Sequence, residues 1–228
     1  MLDLQGYGPM IMEGALVTVE VALLSLAIAV ILGMLGALAK LSNSVVSRNV
    51  AQVYTTIIRG VPDLVMMLLI FFGGQLLVNR LGEVLGFGYI DINPFVAGCL
   101  TIGFIFGAYM TETFRGAILA VPKGQSEAGV AFGMSRRQVF FRVVLPQMVR
   151  HALPGFGNNW LVLLKTTALV SVIGLDDMVR KANLAGGSTR EPFTFLLLVA
   201  LIYLAFTTVS VMALRWAEKR YSVGVREA

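Results

Sequence analysis

Long apolar stretches separated by short polar ones organise this chain. Residues 21–39, VALLSLAIAVILGMLGALA, carry no charge, and the pattern reaches back only to Glu20 and Glu13, which predicts a first membrane span of about 13–40. Between Asp63 and Arg80, LVMMLLIFFGGQLLVN is short for a span, but apolar positions continue backward through VYTTIIRGVPD, predicting a second span of about 54–79. INPFVAGCLTIGFIFGAYMT leads into ETFRG and predicts a third span of about 94–120, with Gly103 and Gly107 as a GxxxG pair suited to close helix packing. ALPGFGNNWLVLLKTTALVSVIGL, with Lys165 in its middle, predicts a fourth span of about 152–176, and a fifth covers about 192–216. Five spans put the two termini on opposite sides.

Composition agrees with the pattern. Of 228 residues, 57% are hydrophobic and 14% charged, with mean hydropathy +0.81, against roughly 25% charged in soluble domains. The expected fold class is an all-α membrane protein, residues 1–228 forming a single transmembrane domain. The lone cysteine, Cys99, and the lone histidine, His151, rule out a disulfide framework within the chain and leave no paired metal-ligand spacing, so neither a catalytic set nor a metal site is expected. MLDLQGYGPMIMEG lacks a basic leader region, so the first span is expected to remain.

The net charge of +5 would suit an acidic partner or nucleic acid, but the positions of the basic residues favour a topology signal instead. With the N-terminus placed outside, the inner segments collect thirteen lysines and arginines, from Lys40 through Arg226, and the outer segments only four: Arg80, Arg180, Lys181 and Arg190. Residues of about 122–150 therefore lie on the cytoplasmic side.

That inner segment contains QSEAGVAFGMSRRQVFFRVVLPQ, residues 125–147. Gly133 suits a left-handed helix cap, and Ser135 followed by Gln138 fits a capping box, so the pattern predicts a helix, a tight turn and a second helix that stops before Pro146. Phe132, Met134, Val139 and Phe140 would form an apolar knuckle flanked by arginines, which either docks on a partner or packs under the chain's own helices and against headgroups.

Glu127, Ala128, Gly129, then Gly133, Val143, Leu145 and Pro146 follow the spacing E-A-A, three residues, G, nine, I, one, L-P. This resembles the EAA loop of permease subunits of bacterial ATP-binding-cassette importers, with Gly129 in place of the third small residue and Val143 in place of isoleucine. YTTIIRGVPDLVMMLL, TETFRGAILAVPKGQ, LPGFGNNWLVLLKTTALVSVIGL and RYSVGV extend the likeness to polar amino-acid permeases over most of the chain. The resemblance implies a type I importer permease (MetI-like) fold with five transmembrane helices in a bacterial inner membrane, N-terminus periplasmic and C-terminus cytoplasmic. It also implies a second permease, an ATPase dimer that binds ATP and Mg, and a periplasmic amino-acid-binding protein. Glu127, Ala128, Gly129, Phe132, Gly133, Met134, Ser135, Val143, Leu145 and Pro146 would couple the chain to the ATPase. The chain has no G-x-x-x-x-G-K-[ST] phosphate loop of its own, so no cofactor is expected on it and ATP hydrolysis is expected on another chain.

Ionisable groups at membrane depth usually face a partner group or a cavity, which singles out Asp63, Glu112, Arg115, Asn159 and Lys165. Glu112 and Arg115 share a helix face and are expected to pair. Lys165 either lines the path or, the preferred reading, forms a structural ion pair. RGVPD reads as a helix start or a hinge, and PGFGNNW as a polar break. The implied function is uptake of a polar, basic amino acid of the histidine/lysine/arginine/ornithine type, with opine or glutamine permeases as near alternatives. A self-sufficient channel or secondary transporter and a membrane scaffold are the rivals from other classes.

Overall fold

The computed structural model describes residues 4–221. They form α1 (Gly8–Lys40), α2 (Val45–Gly60), α3 (Asp63–Val84), α4 (Pro94–Ala120), α5 (Lys123–Ala131), α6 (Arg136–Val139), α7 (Leu145–Thr166), α8 (Met178–Thr189) and α9 (Pro192–Tyr221). A π-helical turn, Phe140–Val144, joins α6 to α7, and a 3-10 segment, Thr167–Ile173, extends α7. Five helical segments are long and apolar enough to cross a membrane: Gly8–Lys40, Asp63–Val84, Pro94–Ala120, Arg136–Ile173 and Pro192–Tyr221. Of the sequence features above, residues 222–225 of RYSVGV and Arg226 lie outside the described residues.

The centre is the α1–α4 pair. Lipid tails supply no hydrophobic force between spans, so packing must come from close van der Waals contact, which small residues permit. On α1 the inward stripe is Thr18, Ala22, Ser25, Ala29, Gly33 and Ala37, all buried. A Cβ at Gly103 would lie 2.6 Å from Ile28, and one at Gly107 would lie 2.8 Å from Leu32 Cβ, so the GxxxG pair of α4 admits α1. Gly33 answers from α1, where a Cβ would run into Met110. Helix α7 adds Leu163, Leu164 and Ala152 to this core, while α8 and α9 build a smaller cluster with Ile11 and Ala15 of α1 around Phe195 and Met178.

Several boundaries depart from the sequence pattern. The second membrane helix covers Asp63–Val84 and not 54–79, because Pro62 forces Val61 into extended backbone (φ −111°, ψ 138°) and ends α2 at Gly60. The first span begins at Gly8, with Pro9 in its opening turn where a missing N–H costs nothing. The predicted stop before Pro146 does not occur. The amide of Leu145 bonds the carbonyl of Phe140, the π spacing, so Pro146 falls in a fresh first turn and the helix runs on from Arg136 to Ile173. PGFGNNW is likewise unbroken helix within α7. Its glycines serve close approach: a Cβ at Gly155 would sit 2.9 Å from Thr113 of α4, and one at Gly157 would sit 3.1 Å from Leu214 of α9.

Between α3 and α4, two side chains of α3 hold the connecting backbone. Gln75 donates to the carbonyl of Ile90 (2.5 Å) and accepts from the amide of Ile92 (2.9 Å), while Asn79 accepts from the amide of Ile90 (2.9 Å). Residues 90–92 are thereby held against α3 before Asn93 caps α4 by accepting from Phe95.

Candidate coupling site

The segment after α4 folds as the turn chemistry predicts. Helix α5 ends in a Schellman motif: Gly133 has φ +79°, its amide bonds Val130, and the amide of Met134 bonds Gly129. Both bonds of the capping box are present, from Gln138 N–H to Ser135 Oγ (3.3 Å) and from Ser135 N–H to Gln138 Oε1 (2.8 Å). Two caps meet back to back, so local hydrogen bonds specify the turn.

The apolar knuckle divides into two groups. Val139 is buried and Met134 and Phe140 are half-buried, all three packing inward. Phe132 is 86% exposed, and with exposed Val130 and Phe141 it forms the outward face; the Arg137 guanidinium lies 5.8 Å from the centre of the Phe141 ring. Correcting the expectation, the outward face is Phe132 with Val130 and Phe141, because α6 turns Val139 down onto α5. Gly129 is the contact point: a Cβ there would meet Val139 at 3.0 Å, which gives a space reason for the smallest residue at the third motif position. Glu127, Ala128 and Pro146 are exposed, and Val143 and Leu145 are half-buried. Glu127 also borders an open cavity of about 310 Å³ lined by Leu119, Val121 and Val144.

The polar groups of the spans are not gathered into one place. Glu112 pairs with Arg115 (Nε–Oε2 3.1 Å), as its spacing suggests, and also with the ammonium of Lys40, a residue the sequence marked only as a topology charge. Lys40 further donates to Gln52 (2.9 Å) and Thr55 (2.6 Å), so one buried ammonium ties α1, α2 and α4 together. Asp63 opens α3 and accepts from the Tyr109 hydroxyl at 3.4 Å, with the Arg59 guanidinium 5.7 Å from that ring. Asn159 donates to Thr113 (2.9 Å), tying α7 to α4.

Lys165 departs from expectation. Its side chain is exposed on α7 and forms no ion pair among the described residues, because it projects from the face that carries Pro154 and Asn158, away from the carboxylates of α1 and α4. A carboxylate the sequence reading passed over is buried instead. Asp177 caps α8 by accepting from the amides of Arg180 (3.0 Å) and Val179 (3.3 Å), and burial pushes its carboxyl up to about 6. An aspartate ahead of MVRKANLAGGST was the available signal for that helix.

The arrangement has counterparts. The family described as "Binding-protein-dependent transport system inner membrane component" matches residues 18–223. The histidine/lysine/arginine/ornithine transport system permease protein HisQ of Escherichia coli (strain K12) is 57% identical, covering 99% of each chain. The octopine transport system permease protein OccQ of Rhizobium meliloti is 43% identical over 99% of this chain and 98% of its own. A solved "amino acid ABC transporter with histidines" superposes with a TM-score of 0.79 at 33% identity, covering 94% of this chain and 95% of that one. A five-span helical chain with a capped helix pair between its third and fourth spans, alike to these proteins over nearly its whole length, belongs to the family of inner-membrane components of binding-protein-dependent transport systems.

Proposed function

We propose that this chain is the permease subunit of an ATP-driven importer for polar, basic amino acids. It forms the translocation pathway with a second permease of similar fold, receives substrate from a periplasmic binding protein, and takes its energy from a separate ATPase that binds ATP and Mg. The N-terminus faces the periplasm and the C-terminus the cytoplasm, as the thirteen-to-four distribution of basic residues supports.

The observation that carries the reading is the exposed Phe132 on a doubly capped turn. An aromatic ring left in water at the tip of a rigid turn is an anchor awaiting a pocket, and the ATPase is the partner whose motion the membrane helices need. Glu127 and Ala128 border the same exposed face, while Gly129, Ser135 and Gly133 shape the turn. Val143, Leu145 and Pro146 continue it into α7 with no break in the helix. The substrate class is supported by the relative named for histidine, lysine, arginine and ornithine.

The test is uptake into proteoliposomes holding this chain with its genetic neighbours. ATP-dependent accumulation of arginine or histidine that Phe132→Ala abolishes, together with ATPase co-purification, is the expected result. Accumulation by the purified chain alone, without ATP, would overturn the proposal.

A further inference from the structure

Helix α2 carries three distinct arcs. Ala51, Thr55 and Ile58 are buried against α1 and α4. Arg48, Asn49, Gln52, Thr56 and Arg59 form an exposed polar arc without an acidic residue, and neither arginine has an ion-pair partner among the described residues. Val46, Val50, Val53 and Ile57, at the i, i+4, i+7, i+11 spacing of one helix face, form an exposed apolar arc.

The contacts of α2 fix how it lies. Gln52 and Thr55 bond the Lys40 ammonium, which pairs with Glu112; the Tyr54 hydroxyl donates to the carbonyl of Phe104 (2.6 Å); Arg59 sits over Tyr109. Residues 52–59 thus map onto positions 104–112 of α4, a rise of roughly 12 Å, in no progressive order. Helix α2 therefore crosses α4 at the level where α1 ends, lying across the end of the spans and not along them. That is the placement of an interfacial helix, with its apolar arc toward acyl chains and its basic arc toward headgroups.

Between α1, α2 and α4 runs a groove of about 400 Å³, open to the outside and lined by Leu32, Leu35, Ala39, Val50, Tyr54 and Phe104. Its lining is almost wholly apolar, because the Tyr54 hydroxyl is turned in to Phe104 and presents only its ring. Val50 belongs both to the groove and to the exposed stripe, and Leu35 and Phe104 continue the groove onto the exposed apolar surface of the spans. Ser47, also in the groove wall, precedes Arg48 on the basic arc.

We propose that this groove seats one acyl chain of a phospholipid with an anionic headgroup, whose phosphate is held by Arg48 while Arg59 adds to the local positive field. The occupant is a lipid because the groove is lined almost wholly by apolar side chains, opens onto the exposed apolar surface of the spans, and is built on a helix whose polar arc carries Arg48 and Arg59 with no ion-pair partner among the described residues. The bound lipid wedges α2 against the Lys40–Glu112 cluster. The inference rests on the membrane spans alone and stands apart from the transport reading.

Native mass spectrometry of the complex in which the full chain purifies, in mild detergent, provides the test with phosphatidylglycerol and phosphatidylethanolamine of matched chains as probes. Phosphatidylglycerol is expected to be retained preferentially. Arg48→Gln is expected to lower that preference by about fivefold, the value of one basic side chain near an anionic surface. Val50→Trp, at an exposed position, is expected to fill the groove and remove bound lipid of both kinds. A measurement on the unmodified chain stands beside these: phosphatidylglycerol with a photoreactive acyl chain is expected to label residues 32–39 and 47–54. Equal retention of the two lipids by the unmodified chain would overturn the proposal. So would label spread evenly over α3 and α9, or cross-linking of two chains through Val50→Cys.

Discussion

The α1–α4 seam and the α5–α6 turn both depend on glycine, for opposite reasons. At the seam, Gly103 has ordinary helical backbone but no room: an added Cβ meets Ile28 at 2.6 Å and the carbonyl of Ser25 at 3.2 Å. At the turn, Gly133 has open space, with nothing within 4 Å of an added Cβ, but a backbone at φ +79°. One region is limited by volume and the other by conformation. The seam decides whether the spans assemble, and the turn decides which side chains the assembled protein presents outside them.

That difference can be broken from either side. The largest loss of stability is expected from Lys40→Met, which strips the buried tie among α1, α2 and α4 and leaves Glu112 with Arg115 alone. Removing one member of a buried pair costs about 3–5 kcal/mol, and Glu112's remaining partner and partial exposure place this case near the lower end. Thermal unfolding in detergent should show it, and Lys40→Met combined with Glu112→Gln should recover part of the loss. Next comes Gly103→Val, for which overpacking costs about 1–3 kcal/mol and membrane-inserted yield should fall with it.

Gly133→Val should cost about 1–2 kcal/mol locally, the penalty of a left-handed backbone for a side chain that resists it, and should reduce ATPase co-purification more than it lowers the unfolding temperature. Gly133→Asn, a residue that tolerates this conformation, should restore most of the co-purification, whereas Gly103→Asn should restore nothing at the seam. The smallest effect on stability is expected from Phe132→Ala and Lys165→Gln, both at exposed positions and both within about 0.5 kcal/mol of the parent. Phe132→Ala should nevertheless abolish uptake with the fold intact, whereas the seam variants should lose uptake only as they lose the fold.

How much could be read in advance depended on how local the cause was. The α5–turn–α6 geometry was legible because Gly133, Ser135 and Gln138 make their bonds within five residues of one another. The five spans were legible because lipid demands unbroken apolar length. The second span begins later than hydropathy alone suggests because hydropathy does not distinguish α2, a helix with one apolar arc, from the start of a crossing; Pro62 is the better guide. The run through Pro146 was hidden because a single added residue in the π turn resets which amide the proline removes. The Lys40–Glu112 pair, where an ion pair of Lys165 was the preferred expectation, has a reason that no sequence pattern contains. Which lysine finds a carboxylate depends on which faces of α1, α4 and α7 meet.

The uninterrupted helical segment from Arg136 to Ile173 has a mechanical consequence. Its 38 residues span roughly 57 Å at ~1.5 Å per residue. Treated as a rigid lever, it turns a tilt of about 5° at the Phe132 end into a sweep of about 5 Å at the far end, near Gly174. Its compliance is concentrated at two joints, the π turn at Phe140–Val144 and Pro154, where the ring removes a backbone bond. Stiffening either joint should make the far end follow the near end more faithfully, and loosening either should absorb the stroke before it reaches the membrane's other face.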